Sequence, residues 1–469
     1  MGDIMQELTA RPTLLIFVAI YFVALIFIGI YTSKQPSKSS DDFVLAGKSL
    51  GPIVLMGTFL ATFTGNGTIS GGGNSLAYTY GIWPGIFFGV PAVLGIVVLF
   101  SLSKKIRESG SYTVAQLLEE KYGSTARIVS GIIIALSMSS ICAYQYRGLA
   151  YVLNVTTGMD VNIATIIAAV LIIFLAFSGG LKSVALSDAA SAFLMFFGIL
   201  LATPFVLHVA GGWDTVVANS TATQLSFSGG MNWYQFLASY FPLFFLTMGD
   251  QNMYQRIAAG NSSKSVKTGM IGWLVGVIVV IPLVGVIAFC ARSIFGTNIE
   301  AGMAFMSTTT VLPTVVGGIL LAAATAFIIT TGDSYLLSGA TNITYDIYAK
   351  KINPDASDRQ KFKMTKWWIL ILGIAGYIIL QFFPSVLAIQ YWSYTIYGAG
   401  ITPAVLAALV WPKVTKAGGL SSMVVGTALT IIWEASGMSA QVGTVLVAVP
   451  VAVVVLIIVS LCTQPKEAK

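Results

Sequence analysis

Histidine is all but missing: His208 is the single one in 469 residues. That excludes a Ser-His-Asp triad and a His-ligated metal centre. Cysteine is nearly as scarce. Cys142, Cys290 and Cys462 stand singly in apolar stretches, without metal-ligand spacing or an evident disulfide pairing, and read as small packing residues. Charge is the third shortage. Only 9% of the residues are charged, where soluble domains carry about a quarter. What is there instead is apolar: 56% of the chain is hydrophobic and the mean hydropathy is +0.85. A soluble fold could not hide that much apolar surface, so the chain is an integral membrane protein in contact with a lipid bilayer. Its net charge of +7 would suggest nucleic acid in a soluble protein. Here Lys and Arg fall in short loops between apolar runs, and no nucleic-acid partner is expected.

Windows of about 20 apolar residues predict thirteen transmembrane helices: 13–32, 50–80, 82–101, 127–154, 160–178, 183–208, 233–255, 266–293, 313–349, 365–383, 386–411, 418–436 and 442–462. The runs are long and do not alternate, so the fold class is all-α rather than a barrel. The first run has no small-residue cleavage site and is too long for a signal-peptide core; it stays as a leading helix. Between 111 and 123 apolar residues recur at helical spacing, which predicts a short interfacial helix. The polar stretch 351–362 with Pro354 reads as a loop.

With the N-terminus outside, the basic residues fall on one side. They are Lys34, Lys38 and Lys48; those from Lys104 to Arg127; Lys182; Arg256, Lys264 and Lys267; those from Lys350 to Lys366; Lys413 and Lys416; and Lys466 and Lys469. Only Arg11, Arg147 and Arg292 lie on or toward the other side. The expectation is one multi-pass domain over 1–469 in the plasma membrane, N-terminus outside and C-terminus cytoplasmic.

Two runs are interrupted at mid-membrane. The second holds Ala61-Thr-Phe-Thr-Gly-Asn-Gly-Thr-Ile-Ser-Gly-Gly-Gly73, and the seventh holds Thr247-Met-Gly-Asp-Gln-Asn252. Backbone groups freed at that depth persist only beside a cavity, an ion or another helix. Glycines for close helix packing would explain Gly71 to Gly73, but not Asn66, Thr68, Asp250 and Asn252 beside them. The breaks are five helices apart, and five is odd, so the second unit is inverted relative to the first. That is the inverted-repeat plan of secondary transporters, with the site at the broken helices. It divides the chain into a leading helix 13–32, a first repeat 50–208, a second repeat 233–411 and two trailing helices within 418–462.

Buried charges are costly and usually functional. Four stand out: Arg147, Asp188, Asp250 and Asp333. Thr330, Asp333 and Ser334 share one helical face, and hydroxyls with a carboxylate suit a hard cation such as Na+. Asp188 could add a second carboxylate. A helix–helix hydrogen-bond network without an ion is the other reading of the same residues.

At these residues the chain resembles the sodium:solute symporter family. The resemblance runs over Phe43-Val-Leu-Ala-Gly-Lys-Ser-Leu50, Tyr112-Thr-Val-Ala-Gln-Leu-Leu-Glu119, Gly179-Gly-Leu-Lys-Ser-Val-Ala-Leu-Ser-Asp188 and Asp250-Gln-Asn-Met-Tyr-Gln-Arg256. It continues through the segment from Thr330 to Tyr348 and that from Thr402 to Lys413. The resemblance implies a LeuT-like core of two inverted five-helix repeats with broken first and sixth core helices. It implies sodium held by the carbonyls of Ala61, Thr64 and Phe327 and by the hydroxyls of Thr330 and Thr331. It implies a second cation site, sodium or proton, at Asp188, Thr330, Asp333 and Ser334, with Na+ as the only metal. Two carboxylates without a cation would repel, and one would stay protonated.

The implied activity is sodium-coupled symport of a small organic solute by alternating access. The polar set Thr64-Gly-Asn-Gly-Thr68 departs from that of the family's sugar carriers, which favours a carboxylate or zwitterion over a sugar. Solute contacts are expected from Asn66, Thr68, Arg147, Asp250, Gln251, Asn252 and Trp392. Arg147 could hold a carboxylate by a bidentate pair, snorkel outward or neutralise an acid. No enzyme activity is expected, and a monomer suffices for transport. The alternatives are a proton-coupled carrier or a transporter-like membrane sensor, the latter calling for a soluble output domain that these residues do not contain.

Overall fold

The thirteen apolar runs fold as helices or pairs of helices, because apolar stretches in lipid satisfy their backbone internally. The computed structural model describes residues 7–33, 44–178 and 181–464. The expectations placed on Lys34, Lys38, Phe43, Gly179, Gly180, Lys466, Lys469 and the side chain of Lys182 lie outside the described residues.

The leading helix is α1, Leu15–Ser33. The second run splits into α2, Pro52–Phe63, a π-turn over Gly67–Gly71, and α3, Gly72–Thr79, with a bend of 49° between the halves. Then come α4, Ile82–Ser109, the interfacial α5, Val114–Tyr122, α6, Ser124–Thr157, α7, Val161–Ser178, and α8, Leu181–Val209. The seventh run splits again, into α9, Trp233–Gly249, and α10, Gln251–Ala259. The remainder are α11, Ser263–Phe295, α12, Thr314–Asn342, α13, Asp358–Leu380, α14, Val386–Gly400, α15, Thr402–Val410, α16, Lys416–Ala435, and α17, Val445–Cys462. Among the described residues ten helices are long and apolar enough to cross a membrane, and the bent pair makes eleven. The other two of the thirteen runs are α7, which is shorter, and the divided α9–α10.

Three boundaries move. α4 continues to Ser109, where Gly110 turns left-handed and stops it. α12 runs on as a π-helix to Ile352. α13 starts at Asp358 because Ser357 and Gln360 form a reciprocal cap. The expected loop 351–362 therefore shrinks to 353–357.

α12 packs along α6 and α8, and α2 lies between α8 and α11. Gly57 makes the α2–α8 contact close: a Cβ there would fall 2.5 Å from the backbone of Ala189. At one end, the segment after α11 folds over α3. Asn74 Nδ2 donates to the Ala301 carbonyl at 2.6 Å, and the Phe305 N–H donates to Asn74 Oδ1 at 2.8 Å. At the other end, the start of α2 is tied to the end of α10. The Leu50 N–H donates to the Ala259 carbonyl at 3.1 Å, and the Asn261 N–H donates to the Leu50 carbonyl at 2.9 Å.

The interfacial α5 is held at both ends of its contact surface. Thr113 Oγ1 and Arg127 Nε donate to Asp346 Oδ1 at 2.9 and 2.7 Å. Glu119 accepts from Arg127 at 2.6 Å and pairs with Lys350 at 2.9 Å. Burial alone would raise the Glu119 carboxyl, but the bonds from Lys350 and Arg127 and their charges outweigh it and hold the group below its usual range.

Candidate cation and solute site

The first break supplies free backbone oxygen. At Thr64 the chain leaves the helix (φ −89°, ψ 82°) and re-enters through the π-turn. The freed Ala61 carbonyl accepts from Thr330 Oγ1 at 3.0 Å and from Thr331 Oγ1 at 3.3 Å. Thr331 Oγ1 also donates to the Thr62 carbonyl at 3.1 Å. This approach depends on Gly65, where a Cβ would lie 2.7 Å from Thr331 Cβ. Phe327 is fully buried one turn before Thr330 and Thr331 on α12. Thr64 turns its hydroxyl to the Leu60 carbonyl at 2.5 Å. Hydroxyl and carbonyl oxygens from a broken helix and from α12 thus meet without any charged side chain among them. That donor set suits a desolvated hard cation.

A second cluster lies one turn along α12, and it holds a charge that sequence reading misplaced. Arg256 was counted among the cytoplasmic loops. It lies instead on α10 with no exposed surface, and its Nη2 sits 3.1 Å from Asp188 Oδ2, itself fully buried. Asp188 Oδ2 also accepts from Thr58 at 2.7 Å and Thr62 at 2.9 Å. Of the residues expected at a second cation site, Asp188 and Ser334 meet here. Thr330 faces Ala61 instead. Asp333 is within electrostatic reach of Tyr21, whose hydroxyl shares a 3.0 Å bond with Ser191; Asp333 Oδ1 has no hydrogen-bond partner among the described residues.

The second break forms at Asp250 (φ −55°, ψ 115°), which caps α10 by accepting from the Asn252 N–H at 2.9 Å. Its other oxygen accepts from Tyr335 at 2.5 Å. Asn252 Oδ1 accepts from Ser338 at 2.6 Å, so both residues join α10 to α12. Gln251 reaches α5, where its Oε1 accepts from the Val114 N–H at 2.9 Å.

Asn66 bridges to α6: its N–H donates to Gln145 Oε1 at 3.0 Å and its Nδ2 to the Tyr144 carbonyl at 2.6 Å, leaving Oδ1 without a partner among the described residues. Thr68 is buried in the π-turn. Arg147 and Trp392 stand apart from these. Arg147 donates to Asn162 at 3.3 Å in an exposed contact. Trp392 packs on Phe383, ring centroids 5.1 Å apart.

Among the contributors that sequence reading missed, besides Arg256, are Gln390, Tyr394 and Tyr144. Gln390 on α14 accepts from the Gly72 N–H at 2.9 Å and donates to Tyr394 at 3.1 Å, and Tyr144 donates to Tyr394 at 3.2 Å. The signal was available only for Gln390, a lone amide in an apolar window; tyrosines are too common in this chain to be informative.

Comparison with known proteins follows the same lines. Residues 43–426 match the sodium:solute symporter family. A sodium/proline symporter of Staphylococcus aureus is 26% identical over 453 residues, 92% of this chain and 87% of that one. A solved structure of a Na+-coupled sialic acid symporter, substrate-bound and outward-open, superposes with a TM-score of 0.81 at 17% identity, covering 97% of this chain and 99% of that one. Mhp1, a nucleobase-cation-symport-1 family transporter in a closed conformation, gives a TM-score of 0.58 at 11% identity, covering 90% and 96%. These likenesses carry the fold, the LeuT-like arrangement of two five-helix sets.

Proposed function

Because the chain belongs to the sodium:solute symporter family and couples Na+ to the movement of a small organic solute across a membrane, we propose that the solute is a zwitterion of amino-acid size, with proline the first to test. The proposal extends to how the solute moves. The sodium site comprises Ala61, Thr64, Phe327, Thr330 and Thr331, and the observation that carries it is the convergence of the Thr330 and Thr331 hydroxyls on the Ala61 carbonyl. Sodium there holds α2 against α12 and completes a solute site between the two breaks, near Asn66, Thr68, Asp250 and Asn252. The rearrangement to the inward-facing state then breaks that contact and lets ion and solute leave together.

Three supports point to a zwitterion. The relative that this chain resembles over 92% of its length is a sodium/proline symporter. The region between the breaks offers amide, hydroxyl and phenol groups for a carboxylate, from Asn66, Thr68, Gln390, Tyr144 and Tyr394. It also offers the Asp250 carboxylate for an amine. In the same reading residues 50–208 and 233–411 are the two inverted repeats, the N-terminus is outside, and the protein works in the plasma membrane.

The test is uptake into proteoliposomes of proline, other amino acids, carboxylates, sugars and quaternary amines, each under an inward sodium gradient, a proton gradient or neither. Sodium-driven accumulation of proline or another amino acid supports the reading. Accumulation of a sugar alone rejects the solute class, and accumulation driven equally by a proton gradient alone rejects sodium as the sole coupling ion.

A further inference from the structure

Six oxygens converge on a guanidinium that is entirely shut off from solvent. Arg256 Nε donates to Thr58 Oγ1 at 2.9 Å, and Nη1 reaches the Asn252 carbonyl at 3.3 Å and its Oδ1 at 3.4 Å. Nη2 donates to Thr62 Oγ1, to Ser334 Oγ at 2.9 Å and to Asp188 Oδ2 at 3.1 Å. A buried ion pair needs its carboxylate and enough hydrogen bonds to satisfy the remaining donors. This cluster goes further, because its hydroxyls come from α2 and α12 and its carboxylate from α8. A carboxylate and hydroxyls gathered from separate helices form the donor set of a hard-cation cage.

The guanidinium occupies the centre of that cage, and it cannot give up its proton. Its charge is therefore permanent. Asp188 keeps one oxygen, Oδ1, without a hydrogen-bond partner among the described residues, while its other oxygen is taken up by the guanidinium, Thr58 and Thr62. The cage also borders the site of the first break. Thr62 follows Ala61 directly, and Ser334 stands one turn after Thr330. A mobile cation in each would place two like charges about one helical pitch apart.

We propose that Arg256 is the tethered, resident cation of the Asp188 cage, so that this chain carries one sodium per cycle, at Ala61, Thr330 and Thr331, and Asp188 binds none. The inference rests on the reading of those three residues as the sodium site. It removes the need for a second transported ion: the positive charge that α2, α8 and α12 require for cohesion is built into α10. It also ties the second broken helix to the first, since Arg256 on α10 grips Thr58 and Thr62 on α2.

The test is equilibrium binding of radioactive sodium to the purified full chain without solute, with thermal unfolding to show that each variant is folded. The expected count is one ion per chain for the unaltered protein and two for Arg256→Gln, whose freed cage takes sodium. The double variant Asp188→Asn with Arg256→Gln removes both charges and is expected to bind one. Should Arg256→Gln alone fail to fold, the double variant still decides: fewer ions than the unaltered chain means that Asp188 is a sodium ligand, and the proposal is wrong. A folded Arg256→Gln that binds one ion overturns it as well. Two ions in the unaltered chain, one of them lost in Thr331→Ala, overturn this inference and leave the first site standing. No sodium bound at all overturns the first site and the inference with it.

Discussion

The two oxygen clusters on α12 are neighbours, yet they hold different kinds of group. At Ala61, Thr330 and Thr331 every oxygen is neutral, and the hydroxyls donate to carbonyls for want of a better partner. At Asp188 the acceptors already face a positive charge fixed to the chain. A neutral cluster can release its cation whenever the helices part, because each group left behind is uncharged. A charged cluster cannot be emptied so cheaply, since a carboxylate stranded in a low-dielectric interior costs far more than a stranded hydroxyl. The first cluster is thus suited to exchange and the second to cohesion.

Breaking the second cluster has the largest expected effect. Arg256→Ala leaves Asp188 buried and unpaired, and the melting transition of the purified protein is expected to fall by about 3–5 kcal/mol of stability. Replacing both partners with neutral residues restores most of that; equal damage from the single and double variants would mean that the pair is not the source. At the first cluster Thr331→Ala removes one ligand. Sodium affinity is expected to drop about tenfold, or about 1.4 kcal/mol, within the usual range for an unsatisfied buried group, while the melting transition stays near that of the unaltered chain. A large loss of stability would instead assign Thr331 to cohesion.

Between the two in character is Ser338, which donates to Asn252 at 2.6 Å and to Gln255 at 2.7 Å. Ser338→Ala is expected to cost about 1–2 kcal/mol in thermal unfolding without changing the number of sodium ions bound.

The ionic network around α5 gives a smaller, pH-dependent effect. Glu119 is held below its ordinary range by Lys350 and Arg127. Its contribution to stability is therefore present at neutral pH and is lost as pH falls through the lowered value. Glu119→Gln is expected to flatten the acid limb of a melting-temperature profile, and an unchanged limb would show that the contact contributes nothing. The smallest effect is expected at Arg147, whose exposed bond to Asn162 is 3.3 Å long. Arg147→Gln should shift stability by about 0–1 kcal/mol and leave proline uptake close to normal. A loss of uptake would return Arg147 to the solute site.

Much of this arrangement was legible in the chain. The apolar runs predict the helices, and the two polar interruptions predict the breaks, because only special local chemistry tolerates glycine and amides at membrane depth. Thr330 was marked by the helical face it shares with Asp333 and Ser334, but Thr331 needed the family resemblance, since a threonine on a helix otherwise reads as packing. Arg256 was illegible for a physical reason. It sits one residue past the expected end of its apolar run, where a cation is ordinarily a loop residue facing water. Only the partners brought in from α2, α8 and α12, far away in sequence, make it an interior charge. Gln251 shows another limit of the same kind, since the polar cluster that marks the break also supplies the contact to α5.

The paired backbone bonds around Leu50 fasten the start of the first divided helix to the end of the second. Arg107 of α4 also ties the end of α10, donating to the Gly260 carbonyl at 2.9 Å. Two rods lashed at one end cannot swing separately there. A movement at that end therefore carries both divided helices together.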